Sequence, residues 1–322
     1  MAGVPEGWRR LACPTVSPVT AASRSQQRPT LLAVPNVSEG RDASMVRALA
    51  AALASDGETT SLLDIHTDAD HHRSVYTLAG PPGALSESLL RGAAEAVSRI
   101  DVVADAHASR GEHPHVGALD VAPVVYLDER SRGAALAEAL VIADRIGHEL
   151  SVPVFLYGEL GGGRTRAQLR SGGVAGLARR IAGGELHPDF GPPGLHPTAG
   201  ATLVAARPPL VAFNLQLAPP ATVADARRLA SRIREGGVEG LPGLRAIGVR
   251  IGGDLAQVSM NVERPADTPL ALVVQRVREH AAVASGELVG LAPRAALTDF
   301  PEDVPLLGFD PARHLLENAL GL

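Results

Sequence analysis

Apolar and polar positions along the first half of the chain predict alternating strands and helices. Short apolar runs, in part alternating with polar residues, predict strands at 31–35, 61–65, 74–78, about 120–127 and 152–157. Apolar residues at helical spacing predict helices at about 43–55, about 84–99 and 133–150. Asp42 precedes the first of these helices as its predicted N-cap. The predicted order is therefore β-α-β-β-α-β, followed by one further helix and strand.

The second half repeats this order. Its predicted strands cover 210–217, 246–251, 256–262 and 287–290, and its helices cover about 221–235 and 268–283. Gly252-Gly253-Asp254 joins the second and third of these strands and is typical of a hairpin turn. The element order predicts an α+β protein with two ferredoxin-like βαββαβ lobes and a ligand cleft between them.

Domain limits follow from where this periodicity begins and where the order repeats. We expect a disordered extension at 1–29, an N-terminal lobe at 30–205 and a C-terminal lobe at 206–322. The stretch 158–200 is rich in Gly, Pro and Arg, with short helices predicted at about 165–171 and 174–182. A segment this irregular inside a folded domain is typical of a functional or mobile region.

Composition excludes several classes of protein. The net charge of -5 and an aromatic content of 3% argue against general nucleic-acid binding. Cys13 is the single cysteine, so the chain can form no internal disulfide. No apolar run approaches the roughly 20 residues of a membrane span, and no apolar signal core follows Trp8. We therefore expect a cytoplasmic protein with no membrane or nucleic-acid partner.

The loop at 106–120 is the strongest candidate for catalytic chemistry. It contains His107, His113 and His115, and a Gly lies on each side of its Glu112-His113-Pro114 core. Pro114 favours an extended backbone at His113, which would hold the imidazole in one direction beside a carboxylate. Imidazole takes and returns protons near neutral pH, so His113 is a candidate general acid and base. The alternative is a polar connecting loop.

Two further polar clusters follow predicted strands. Asn36, Ser38 and Gly40 lie just ahead of a helix, which indicates either an anion site or an ordinary strand-to-helix connection. The segment 64–74 allows three interpretations. Its imidazoles and carboxylates could bind a metal, Arg73 could anchor an anion at the start of a strand, or its charges could simply solvate the loop. The Gly-rich run 157–164 lacks the ending of a phosphate-binding loop, which argues against nucleotide binding.

Several short motifs, in order, resemble those of the formiminotransferase domain family. Those in the first half are Val34-Pro-Asn-Val-Ser-Glu-Gly40, Leu62-Leu-Asp64, Arg73-Ser-Val-Tyr-Thr77, Gly111-Glu-His-Pro114 and Gly117-Ala-Leu-Asp-Val121. Those further on are 152–159, Pro188-Asp-Phe-Gly-Pro192, Gly200-Ala-Thr202, Ala212-Phe-Asn214, Leu255-Ala-Gln-Val-Ser259 and Leu288-Val-Gly-Leu291. Together they cover about residues 30–300.

The resemblance implies an enzyme of histidine degradation and one-carbon metabolism. It would transfer a formimino group from N-formimino-L-glutamate to the cosubstrate tetrahydrofolate as a homodimer, and no metal is expected. The resemblance gives His113 the catalytic role. It places folate along the stretch from Pro192 to Ala201, which includes His196, Thr198 and Gly200.

From residue type, Arg73 and Asn36 are expected to bind substrate carboxylates and Glu112 to orient His113. The chain departs from the family's usual residues at several positions: His72 stands where Asn is usual, His115 stands where Arg is usual, and basic residues common around Pro208 and Leu297 are missing. Two other functions stay open from the sequence. One is a metal-dependent hydrolase that uses the His and Asp clusters, and the other is a catalytically silent folate-binding paralogue.

Overall fold

The computed structural model describes residues 29–54, 59–107 and 114–322. It places them in two compact units, which meet along the chain between Pro208 and Pro209. All but the last residue of the predicted N-terminal extension lies outside the described residues. Among the helices that the structure describes, none has both the length and the apolar character needed to cross a membrane.

The N-terminal unit is a mixed sheet with helices. Its strands are β1 (Leu31–Ala33), β2 (Asn36–Val37), β3 (Ser61–Asp68), β4 (Arg73–Gly80), β5 (Leu119–Tyr126), β6 (Val154–Leu156) and β7 (Thr202–Arg207). Its helices are α1 (Ala43–Leu53), α2 (Ala84–Arg99), α3 (Val102–His107), α4 (Arg132–Glu149), α5 (Arg166–Arg170) and α6 (Gly173–Ala182). A short 3-10 turn, Glu129–Ser131, precedes α4. Asp42 caps α1 as predicted, because its side chain accepts the amides of Ser44 and Met45.

β1 and β2 lie in the middle of this sheet as one interrupted strand. Both pair antiparallel with β4 on one side and with β5 on the other. Pro35 separates them because it has no amide hydrogen to donate to the ladder, although its carbonyl accepts the Tyr76 amide at 3.0 Å. β3 pairs antiparallel with β4, while β7 runs parallel to β5 and β6 runs parallel to β7.

Both faces of this sheet are covered where β5, β6 and β7 lie. The apolar sides of α1, α2 and α4 pack against one face, with Leu49, Leu89 and Ile142 fully buried. Alternate residues of β6 and β7, among them Phe155 and Leu203, form a second cluster with Leu169 and Leu177 of α5 and α6. Burial on both faces accounts for the nearly continuous apolar sequence of β5.

The C-terminal unit has the same element order in a smaller form. It consists of β8 (Val211–Leu217), α7 (Val223–Ile233), β9 (Leu244–Ile251), β10 (Leu255–Val262), α8 (Leu270–Arg278) and β11 (Val283–Leu288), followed by short helical segments including α9 (Pro311–His314) and α10 (Leu316–Ala319). The antiparallel sheet has the order β11-β8-β10-β9. The predicted hairpin is confirmed, since Ile251 pairs with Leu255 across a turn in which Gly252 and Gly253 have positive φ.

The predicted α+β class with two lobes is confirmed, and both sheet orders are consistent with ferredoxin-like units. Several elements were not predicted. α3 lies between the predicted helix at about 84–99 and the histidine loop, which it overlaps at its last two residues. β7 follows the irregular stretch 158–200, so the predicted boundary between Ala205 and Ala206 falls inside a strand. β7 lies between β5 and β6 and runs parallel to both.

Candidate functional site

Polar side chains from three adjacent strands meet at a small cavity in the N-terminal unit. It is lined by Val37, Ser38, His71, His72, Arg73, His115 and Asp120, and its volume is about 10 Å³, roughly the space of one water molecule. These residues converge because β2 lies between β4 and β5, so that the ends of separate sequence segments become neighbours. We refer to this place as the arginine cavity.

Arg73, the first residue of β4, is held from two sides. Asn36 Oδ1 accepts Arg73 Nε at 2.8 Å and also accepts Nη2, and Nη2 lies 4.0 Å from Asp120 Oδ2. Burial is the largest cause that lowers the pKa of Arg73 to about 9, and the neighbouring positive charge of Arg170 lowers it further, while Asp120 opposes the shift. A guanidinium in such surroundings favours an anionic partner. The role of Arg73 as a substrate anchor stays a prediction.

Asp120 is almost inaccessible to solvent, at 1% exposure, and both of its oxygens are used. Oδ1 accepts the Val116 amide at 2.8 Å, and Oδ2 accepts Arg170 Nη2. Burial by itself would raise the pKa of the Asp120 carboxyl, but Arg170 and Arg73 outweigh it and hold the pKa below its usual range. Asp120 is therefore an anion at neutral pH.

The turn before β4 is ordered by local contacts. His72 has a positive φ of 50°, and its Nδ1 accepts the Gly40 amide at 3.4 Å. Burial lowers the pKa of His72, although Glu39 partly opposes this, so its imidazole is neutral near pH 7. A side chain at Gly40 would place Cβ 2.2 Å from the Asp68 carbonyl oxygen. Glycine is thus required where the strand-to-helix connection passes this turn.

Of the three interpretations of the segment 64–74, the loop solvated by its own charges is wrong. His66, Asp68, His71 and His72 are all buried, at 2–6% exposure, because strand pairing draws the segment into the sheet. His71 Nδ1 lies 2.5 Å from Asp68 Oδ2, and Asp68 also accepts the amides of Asp70 and His71.

No metal-binding group forms in this cluster among the residues that the structure describes. Among the described residues, three possible ligand atoms lie within 4.8 Å of one another at a different place, in the C-terminal unit, where they belong to Glu239, Glu279 and His280. The two glutamates already pair with Arg232 and Arg276.

His113 and Glu112 lie outside the described residues, so their predicted roles stay predictions. The chain is described again from Pro114, and the half-buried His115 lines the arginine cavity. Two of the positions that differ from the family's usual residues, His72 and His115, therefore lie at this cavity. From His115 the chain runs through Val116 and Gly117 into β5.

The predicted folate-binding stretch lies directly beside this segment. The Ala201 amide donates to the Val116 carbonyl and the Ala118 amide donates to the Ala199 carbonyl, each at 2.9 Å. Gly200 has a φ of 69°, and a Cβ there would lie 2.2 Å from the Val116 oxygen. Glycine at position 200 therefore permits the close approach between this stretch and the backbone of Val116.

A tight turn holds the central part of this stretch. His196 and Gly200 exchange backbone hydrogen bonds, and His196 Nδ1 accepts the Ala199 amide at 3.0 Å. Pro192, His196 and Thr198 are half-buried. Upstream, the Phe190 carbonyl accepts the Val154 amide, and Asp189 accepts the Leu156 amide, which tie the stretch to the edge strand β6.

Sequence reasoning did not select Asp120 or Arg170 as site residues. Asp120 carries a detectable signal, since a carboxylate within an otherwise apolar strand must find a buried partner. Arg170 carries no such signal, because nothing in its local sequence distinguishes it from the other arginines of the 158–200 stretch. Only the packing of α5 against the start of β5 identifies it as that partner.

Family comparisons agree with the motif pattern. A family model described as the N-terminal subdomain of the formiminotransferase domain matches residues 30–207, and a second, described as the formiminotransferase domain, matches residues 212–302. The chain spans about half the length of a relative with two activities in its name, the formimidoyltransferase-cyclodeaminase of Gallus gallus. The two are 37% identical over 283 residues, or 84% of this chain and 51% of the relative.

Two relatives of similar length carry a single activity in their names. The glutamate formimidoyltransferase of Streptococcus pyogenes serotype M1 is 34% identical over 297 residues, covering 89% of this chain and 97% of the relative. The glutamate formimidoyltransferase of Thermoplasma acidophilum is 34% identical over 290 residues, covering 86% and 93%. By family models along both units and by relatives matched over nearly their whole length, the chain belongs to the formiminotransferase family.

Proposed function

We propose that this protein is a glutamate formimidoyltransferase of histidine degradation. It would transfer the formimino group of N-formimino-L-glutamate to tetrahydrofolate, giving 5-formiminotetrahydrofolate and L-glutamate. The names of its full-length relatives support the reaction. The observation that carries the proposal is that the predicted carboxylate anchor, Arg73, lines the same cavity as His115 of the histidine loop.

The described residues support a division of roles. Arg73, oriented by Asn36, would bind a carboxylate of the donor by a charge-assisted contact. The stretch from Pro192 to Ala201 would bind folate, and its backbone pairing with Val116 brings it beside the donor site. His113 stands two residues before His115 in the sequence, and His115 lines the cavity, which supports His113 as the acid and base.

The chemistry needs one proton removed and one returned. N5 of tetrahydrofolate attacks the formimino carbon, and a new carbon–nitrogen bond forms as the N5 proton passes to the base. The tetrahedral intermediate then breaks its bond to the glutamate nitrogen, which takes a proton and leaves as the amine. A single imidazole near its pKa can accept the first proton and donate it in the second step, so one histidine suffices.

Turnover of purified wild type beside His113→Ala tests the proposal. We expect formation of 5-formiminotetrahydrofolate by wild type and a loss of about 10²- to 10⁴-fold in kcat for the variant, the usual contribution of general acid–base catalysis. His148→Ala is the matched control, since this histidine of α4 is 80% exposed and pairs with Asp144 at the surface.

Other results would change the conclusion in defined ways. An equal loss of kcat in both variants would remove His113 from the acid–base role. Folate binding by wild type without turnover would instead support the catalytically silent paralogue. A homodimer, a cytoplasmic location and turnover that a chelator does not affect are parts of the same proposal. Light scattering, cell fractionation and assay in EDTA test them.

A further inference from the structure

We propose that the C-terminal unit recognises the pterin ring of the folate cosubstrate through polar side chains on one face of its sheet, with Gln257 as the central contact. Six side chains, which we call the amide face, form this surface: Asn214, Gln216, Gln257, Ser259, Ser285 and Glu287. The identity of the ligand as tetrahydrofolate rests on the proposed function, whereas the arrangement of the side chains rests on the structure.

Strand alternation separates the amide face from the apolar core of this unit. Side chains of successive strand residues point to opposite faces of a sheet. Ala256 and Val258, on either side of Gln257 in β10, belong to the apolar cluster that includes residues of α7 and α8. The same holds for the residues on either side of Asn214 in β8. The amide face is therefore opposite to the face on which these two helices pack.

Strand pairing places the six side chains in two adjacent rows across β10, β8 and β11. In that strand order, the first row is Gln257, Gln216 and Ser285, and the second is Ser259, Asn214 and Glu287. Three strands span about 10 Å, and successive residues on one face lie about 7 Å apart along a strand, which is wide enough for a fused bicyclic ring. β8 and β10 are the inner strands of the sheet, so the central side chains lie on firmly held backbone.

Gln257 is buried without a hydrogen-bond partner for its amide nitrogen. It is 2% exposed, and none of the described residues accepts a hydrogen bond from its Nε2. Its neighbours on the amide face are paired, since Asn214 Nδ2 donates to Glu287 Oε2 at 3.2 Å and Ser285 Oγ donates to Gln216 Oε1 at 3.4 Å. A buried amide without a partner is costly. The geometry at Gln257 therefore calls for a partner from outside the chain.

The chemistry of the amide face suits an uncharged ligand that has both donors and acceptors. Its six side chains include one carboxylate and no cation, so it does not suit a dicarboxylate such as formiminoglutamate. A glutamine or asparagine amide donates through its nitrogen and accepts through its oxygen. The pyrimidine edge of a tetrahydropterin has an oxo group beside a ring N–H and an amino group, which is the complementary pattern. Asn214 and Gln257 belong to the motifs 212–214 and 255–259, which the roles assigned in the N-terminal unit leave unexplained.

Gln257→Met tests the proposal, because methionine keeps the length of the side chain and removes both amide atoms. Calorimetry gives the Kd of 6-methyltetrahydropterin, which is the ring without its tail, and of p-aminobenzoyl-L-glutamate, which is the tail without the ring. Steady-state kinetics give KM for tetrahydrofolate and for formiminoglutamate, and urea unfolding gives the stability. Gln275→Met is the matched control, because Gln275 is an exposed glutamine of α8 in the same unit.

For Gln257→Met we expect the Kd of 6-methyltetrahydropterin and KM for tetrahydrofolate to rise about tenfold, the effect of one lost hydrogen bond. The Kd of p-aminobenzoyl-L-glutamate and KM for formiminoglutamate should stay within about twofold. The urea midpoint should not fall, because the change removes a buried amide nitrogen that is unpaired within the described residues. Gln275→Met should leave all of these quantities unchanged.

Unchanged affinity of Gln257→Met for 6-methyltetrahydropterin would overturn the proposal and leave water as the partner of Gln257. An equal loss of affinity for ring and tail with a lower urea midpoint would assign Gln257 a structural role and overturn it as well. So would a rise confined to KM for formiminoglutamate.

Failure of the proposed function is a different result, namely wild type that forms no 5-formiminotetrahydrofolate. The two calorimetric titrations need no turnover and then decide the inference by themselves. A wild type that binds no 6-methyltetrahydropterin would overturn it.

Discussion

The two units have the same βαββαβ order, and both have ion pairs at the surface, but only the N-terminal unit has a buried one among the described residues. In the N-terminal unit an aspartate and an arginine form a buried ion pair, Asp120 with Arg170, and three histidines are buried nearby. In the C-terminal unit the ion pairs are at the surface, for example Arg232 with Glu239 and Arg245 with Glu263, whose arginines are 47% and 46% exposed.

This difference favours the N-terminal unit as the one built around the chemistry of a charged ligand. Exposed ion pairs contribute roughly 0–1 kcal/mol, so those of the C-terminal unit are replaceable. Buried charges are costly to desolvate and add little stability beyond what apolar residues would supply. Their presence at a cavity, against that cost, is better explained by recognition of a charged ligand. Shared element order therefore does not imply shared function.

The largest effect is expected where glycine permits the close backbone contact in the N-terminal unit. Gly200→Ala combines a positive φ with a Cβ only 2.2 Å from the Val116 oxygen, so it should cost roughly 3 kcal/mol of stability. It should also raise KM for tetrahydrofolate, because the contact aligns the stretch proposed to bind it. Urea unfolding and steady-state kinetics measure the two effects.

Gly236→Ala in the C-terminal unit is the matched control. Its φ of 84° carries the same backbone penalty, but no atom lies within 4 Å of the added Cβ. We expect a loss of about 1 kcal/mol, from backbone strain without a clash. Equal losses at the two glycines would contradict the close-contact explanation.

Replacing a buried arginine of the N-terminal unit should weaken donor binding, whereas replacing an exposed arginine of the C-terminal unit should not. Arg73→Ala should raise KM for formiminoglutamate about 100-fold, since truncation of a buried charged partner costs 2–5 kcal/mol. Arg245→Ala, from an exposed pair network with Glu235 and Glu263, should leave that KM unchanged. An unchanged donor KM in Arg73→Ala would exclude Arg73 as the carboxylate anchor and weaken the contrast between the units.

The smallest effect concerns His72 and pH. Burial lowers the pKa of His72 in the folded state, while the unfolded value is about 6.5. Below pH 6.5 the unfolded chain therefore binds more protons at this position than the folded chain, and stability falls as pH falls through the lowered pKa. His72→Asn, which tolerates the positive φ, should flatten the stability profile between pH 6.5 and 5. Urea midpoints across that range test it, and an unchanged slope would contradict the buried neutral state.

Local features of the sequence predicted most elements of both sheets. Periodicity placed α2 at its observed limits, and glycines placed the hairpin at 252–254, because helical spacing and turn chemistry depend on neighbouring residues only. The local features did not predict β7 or α3, which form through contacts with distant segments. Among site residues, Arg73 and Asn36 were predicted and are joined by a hydrogen bond, whereas Asp120 and Arg170 were missed.

The sequence by itself determined the α+β class, the family and the residue types available for proton transfer and carboxylate binding. Periodicity and ordered motifs carry that information without any distant contact. Only the tertiary structure decided which charges meet. Arg170 and Asp120 are 50 positions apart, and Arg73 and Asn36 are 37 apart. Their meeting depends on strand order and on the placement of α5, and the low polarity of the interior is what makes these few contacts decisive.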